Sequence, residues 1–166
     1  MPGDLDFLFF LRSHKDVMKY IDRPFAKSKE DIVEMYEKMC AGVEGNTAIA
    51  WHIEEKESDK PAGQIGYYRN DPGNHRGEVG YMLSPEQQGK GFAGEALKAA
   101  LDYGFNDVKF HSIEANVNPL NDASVKLLEK HGFVKEAHFK ENYYFDGKFL
   151  DSVIYSLLSS AWKNRS

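Results

Sequence analysis

Cysteine is nearly absent. Cys40 stands alone in 166 residues, which rules out any disulfide within the chain and fits a reducing compartment. Basic charge is not in excess either. Lys and Arg total 21 against 26 Asp and Glu, for a formal net charge of -5. Nucleic-acid-binding domains usually show the reverse, a basic face. Long apolar runs are missing, so no segment approaches the ~20 residues of a membrane-spanning helix. Asp4 and Asp6 interrupt the start of the chain, where a secretory leader would carry cations. The six histidines are scattered and none falls in a metal spacing such as H-E-x-x-H, so no metal is expected. The chain therefore reads as a soluble, cytoplasmic protein that binds neither nucleic acid nor membrane. What is present is an ordinary globular composition, 42% hydrophobic and 28% charged. It suits one domain over residues 1–166, long enough to bury a core without staples.

Hydrophobic spacing orders the elements. Phe7, Phe10, Leu11, Val17, Met18 and Ile21 predict a helix over Asp6 to Tyr20, capped by Asp6 and stopped by Arg23-Pro24. Ser28 and Asp31 form a capping-box-like pair before a second helix that ends at Gly42 to Gly45. The period then changes. Residues 47–53, 62–68 and 78–83 read as three sequential strands, and short links make them a meander. A helix to about Asn106, a strand over Ser112 to Val117 and a helix from Asn121 to His131-Gly132 follow. Two closing strands flank Asp146-Gly147, a strong hairpin signal. The order predicts an α+β domain with a central, mostly antiparallel mixed sheet flanked by helices.

Chemistry concentrates at the turn after the third strand, Gln88-Gly89-Lys90-Gly91-Phe92-Ala93-Gly94. Glycines let a bulky anion approach the backbone. The first turn of the following helix leaves N–H groups without partners at the positive end of its dipole. Together these predict a phosphate or pyrophosphate site. The string also matches the dinucleotide fingerprint G-x-G-x-x-G, with Glu114 about twenty residues on. That fingerprint needs a strand running straight into its first glycine within a parallel βαβ unit. Here Ser84 to Gln88 intervene and the upstream strands are antiparallel. The nucleotide-triphosphate loop fails too, because Gly91 follows Lys90 where Ser or Thr is required.

A third pattern fits. Gln88-Gly89-Lys90-Gly91-Phe92-Ala93 matches Q/R-x-x-G-x-G/A, and on it the chain resembles the GNAT N-acetyltransferase superfamily. The third strand, Glu78 to Leu83, is similar to the Glu-x-Gly-Tyr-x-Leu of the RimJ/RimL-like branch. Asn121, Ser124, Glu129, Lys130, Gly132 and Phe133 follow that branch's Asn-x-x-Ser...Glu-Lys-x-Gly-Phe pattern, and Asp146 to Asp151 is also similar. The resemblance implies acetyl-CoA as co-substrate and a primary amine as acceptor. Amides of Gln88, Gly89, Lys90, Gly91, Phe92, Ala93 and Gly94 would hold the pyrophosphate. Met82 and Leu83 would pair with the pantetheine arm as a strand pairs with its neighbour. Asn121 would reach that arm or simply cap its helix, and Ser124 would lie near the thioester. Glu78 is the candidate base, since a lysine-type amine is mostly protonated at pH 7; the alternative is a solvent-facing glutamate. A backbone N–H near Leu83 would polarise the thioester carbonyl.

Two departures stand out. Many members carry a tyrosine just before the Glu-Lys-x-Gly-Phe pattern to protonate the departing thiolate, and this chain has Leu128 there. Ser124, a water, Tyr143 or Tyr144 would have to substitute, or the thiolate leaves without a dedicated acid. The family also opens with a strand before its first helix, and this chain reaches its helix by Asp6. Either the chain is truncated, or its sheet has an open edge that a partner must cover, which favours a homo-oligomer. Three functions follow: an N-acetyltransferase acting on a protein N-terminal amine, one acting on a polyamine or other small amine, and a non-catalytic acyl-CoA sensor. The spermidine acetyltransferase loop resembles Gln87 to Ala93.

Overall fold

Capping chemistry sets the N-terminal half. In the computed structural model, which describes residues 2–163, helices α1, α2 and α3 span Pro2–Ser13, Lys15–Met18 and Lys29–Glu44. The single helix expected from Asp6 to Tyr20 is thus two. His14 is extended (φ -82°, ψ 124°), and its ring accepts from the Asp16 N–H, capping α2 and breaking the run. Asp6 does not cap. It lies inside α1 and pairs with Lys29 Nζ at 2.5 Å, tying α1 to the start of α3. The Ser28–Asp31 capping box forms as read, each side chain accepting from the other's backbone N–H.

Six strands make one sheet: β1 (Ile49–Glu55), β2 (Lys60–Asp71), β3 (Arg76–Leu83), β4 (Ser112–Val117), β5 (Val134–Phe145) and β6 (Lys148–Leu158). Their order is β1-β2-β3-β4-β6-β5. Every neighbouring pair is antiparallel except β3 with β4. The β5–β6 hairpin turns through Asp146 and Gly147 at φ 47° and 77°, the left-handed pair that a two-residue turn matching strand twist requires. Among the described residues β1 pairs only with β2 and β5 only with β6, so these two strands are the edges of the sheet.

Strand alternation divides the work of the sheet. One face carries Ile65, Tyr67, Val79, Ile113, Ala115 and Val117. These pack with Leu97, Ala100, Leu101 and Phe105 of α4 (Phe92–Asn106) and Leu128 of α5 (Asp122–Lys130). The Tyr67 hydroxyl, fully buried, donates to the Ala100 carbonyl at 2.7 Å and locks β2 to α4. The other face carries Gln64, Gly66, Glu78 and Gly80 and lies toward α3, where Gln64 Nε2 meets Met39 Sδ at 3.6 Å. A short helix, α6 (Ser159–Lys163), closes the described chain. No helix among these residues is long and apolar enough to cross a membrane.

Candidate active site

The sheet opens at one seam. β3 and β4 pair only over Arg76–Ser112, Gly77–Ile113 and Glu78–Glu114. From Val79 to Leu83, β3 runs on with β2 alone, while β4 continues to Val117 with β6 alone. The side of β3 facing the gap thus has backbone groups without a ladder partner, the arrangement that accepts an added strand-like ligand.

The glycine turn stands at the mouth of this gap. The Ser84 N–H donates to Ala62, ending the β2–β3 ladder, and a 3-10 turn over Pro85–Gln87 leads to the loop. Gly89 and Gly91 hold φ of 75° and 95°, where a side chain would be strained. Gly91 is the N-cap of α4 and offers no side chain to its free N–H groups; its carbonyl accepts from Gly94 and Glu95. No atom lies within 4 Å of where a Cβ at Gly89 would stand, and at Gly91 only a Glu95 carboxylate oxygen does, at 3.7 Å. Lys90 Nζ is 3.2 Å from Gln87 Oε1, and Gln88 Nε2 donates to the Leu83 carbonyl at 3.4 Å. The result is an exposed cradle of N–H groups with room for a diphosphate, opening beside unpaired strand backbone. Both halves fit coenzyme A.

The two faces of β3 carry different chemistry. On the α3 side stands Glu78, half-buried, its carboxylate 3.4 Å from Arg69 of β2 and its backbone beside Glu114 of β4. Arg76 pairs with Glu114 at 3.2 Å. Asp22, in the α2–α3 connection, accepts from Asn118 Nδ2 at 3.4 Å just beyond β4, and burial raises its carboxyl above the ordinary value. Gly80 carries no side chain because the Tyr68 ring lies 3.2 Å from its missing Cβ.

On the opposite face, toward α4 and α5, Tyr81 reaches across the gap. Its hydroxyl is 2.7 Å from Ser124 Oγ in the first turn of α5. Burial pushes the phenol up to about 12, with the Ser124 hydrogen bond acting in the other direction. Asn121 caps α5, its side chain accepting from the Ser124 N–H at 3.2 Å. Leu128 is completely buried in the core. The two other tyrosines considered as acids face elsewhere. The Tyr143 hydroxyl donates to the Asp22 carbonyl at 2.7 Å, and Tyr144 is exposed against Phe149 on the hairpin. Tyr81 was missed in the sequence because its partner lies 43 residues away; the available signal was its placement opposite Glu78 in the β3 alternation. Among the described residues no cluster of His, Cys, Asp and Glu could hold a metal.

Comparison with known proteins agrees with this geometry. Residues 1–134 match the family model described as an acetyltransferase (GNAT) domain. An uncharacterized N-acetyltransferase, p20, of Bacillus licheniformis is 35% identical over 158 residues, covering 93% of this chain and 87% of the relative. The spermidine N(1)-acetyltransferase of Vibrio cholerae is 30% identical over 165 residues, covering 99% and 92%. A crystal structure of spermidine N-acetyltransferase from Vibrio cholerae in complex with CoA and spermine superposes with a TM-score of 0.88 at 28% identity. It covers 99% of this chain and 95% of that one. The chain belongs to the GNAT acetyltransferase family and is an N-acetyltransferase that takes its acetyl group from acetyl-CoA.

Proposed function

We propose that the acceptor is a primary amine of a polyamine, and that Glu78 removes the proton lost by the attacking nitrogen. The observation that carries this reading is the set of carboxylates on the α3 side of the gap. Glu78, Glu114 and Asp22 lie along or just beyond the strands that diverge there. Glu78 and Glu114 are each paired with an arginine, Arg69 and Arg76, whose guanidinium groups a chain bearing several ammonium groups would displace at the carboxylates, and an overall charge of -5 favours its approach. The similarity to spermidine acetyltransferases supports the same class. A protein N-terminal amine is the second reading, favoured by the RimJ/RimL-like run from Glu78 to Leu83.

Amides of Gln88 to Gly94 hold the diphosphate, Met82 and Leu83 offer strand backbone to the pantetheine arm, and Asn121 and Ser124 face that arm from α5. Bound acetyl-CoA supplies the activated thioester. A backbone N–H at the end of β3 polarises its carbonyl. Glu78 and Ser124 occupy opposite faces of the gap, so the amine approaches from the carboxylate side and the thiol leaves on the α5 side. The test is thiol release from acetyl-CoA against a panel of polyamines, monoamines and N-terminal peptides, with products weighed by mass spectrometry. Polyamines are expected to turn over with the highest kcat/KM. Preference for peptides would overturn the polyamine reading and leave the N-terminal one.

A further inference from the structure

The thiolate that leaves coenzyme A needs a stabilising partner, and the family's usual position is occupied by Leu128, buried and without a proton. Tyr143 and Tyr144 are engaged or placed elsewhere. One hydroxyl pair remains in the gap on the side from which the thiol departs. Tyr81 projects from the unpaired part of β3 toward α5, and its oxygen lies 2.7 Å from Ser124 Oγ. We propose that the Tyr81 hydroxyl donates a hydrogen bond to the departing thiolate sulfur, with Ser124 positioning it by donating its own hydrogen to the Tyr81 oxygen. This rests on the reading above that places the thioester in the gap between β3 and β4.

Magnitudes decide between donating a hydrogen bond and giving up the proton. Burial raises Tyr81 to about 12, whereas an ordinary thiol ionises near ~8.5. A proton passing from this phenol to that thiolate would run uphill. Tyr81 therefore keeps its proton through the step. The nitrogen–carbon bond forms and the carbon–sulfur bond breaks with its electron pair on sulfur. The nitrogen's spare proton goes to Glu78, and the thiolate takes a proton from solvent on release. Because Tyr81 remains protonated across the working range, it donates at every pH at which the amine reacts.

The signature is in the bound product, without turnover. Coenzyme A bound to the wild type is titrated by the ultraviolet absorbance of its thiolate. A hydrogen bond to a charged sulfur lowers the bound thiol by about one to two pH units relative to Tyr81→Phe. Ser124→Ala gives a smaller change, and Ser124→Thr, which keeps the hydroxyl, restores the wild-type value. Desulfo-coenzyme A, which has no sulfur to contact, is expected to bind wild type and Tyr81→Phe equally and so reports that the site is intact. Equal thiol titration in wild type and Tyr81→Phe, with desulfo-coenzyme A still bound, would overturn the assignment of Tyr81. A wild type that binds neither ligand would overturn the cofactor reading beneath it.

Discussion

Glu78 and Tyr81 are three residues apart on one strand, and an odd separation along a strand sends side chains to opposite faces. On the roles proposed above, that spacing would let one strand serve both ends of a transfer reaction, a carboxylate on the acceptor side and a hydroxyl on the thiol side. Glu78 is held by Arg69 at 3.4 Å, an exposed pair worth little to stability but able to aim the carboxylate. Replacing it with glutamine keeps size and removes the base. Glu78→Gln is expected to lower kcat by roughly 10²- to 10⁴-fold, the usual worth of a positioned base, with little change in the affinity for acetyl-CoA. Steady-state kinetics beside a calorimetric titration separates the two effects. Unchanged kcat would remove Glu78 from the base role. The candidate base and the candidate cofactor residues are proposed from motifs that the sequence alone displays. The Tyr81–Ser124 pair was not, since it depends on how far β4 swings from β3.

Helix α4 and strand β2 meet through a contact that joins two residue choices. Gly104 faces the Tyr67 ring, and a Cβ there would collide with the Tyr67 hydroxyl, which donates to the Ala100 carbonyl. Tyr67→Phe removes that buried hydrogen bond and is expected to cost about 1 kcal/mol. Gly104→Ala overpacks the same spot and costs about 1–3 kcal/mol. In the double variant the alanine has more room, so the double variant costs less than the sum of the two single costs. Urea unfolding with an unchanged m-value measures all three; strict additivity would mean that the contact does not set the α4–β2 spacing. Elements with local chemical signals were the ones read best. The Ser28 capping box, the Asp146-Gly147 turn and β4 stand where expected. Apolar spacing continues past His14 and so predicts one N-terminal helix, and nothing in that spacing reveals that the His14 ring caps a new helix. Strand β2 runs to Asp71, beyond the expected Tyr68, through a register shift against β3 between Tyr67 and Arg69. A bulge of this kind leaves no mark in hydrophobic alternation.

At the scale of the molecule, function follows from one irregularity in a regular sheet. A fully paired β3–β4 seam would leave no backbone for a ligand; three paired positions followed by divergence leave half a strand free. The glycine turn then sets exposed N–H groups, the proposed diphosphate cradle, at the mouth of that opening. In the sequence the turn alone suited two cofactors, and the distance from strand to glycine, with the Asn121 to Phe133 segment, chose between them. The seam itself is a tertiary feature that no local pattern encodes. The most direct test compares acetyl-CoA binding to the wild type and to Gly91→Glu by calorimetry, with circular dichroism to check the fold. Gly91 is exposed, and only a Glu95 carboxylate oxygen, at 3.7 Å, comes near where a Cβ would stand, so the variant is expected to fold with modest strain from its φ of 95° while placing bulk and negative charge in the cradle. Loss of measurable binding in the folded variant is the predicted result. Equal affinity in both proteins would contradict the claim that acetyl-CoA is held at this turn.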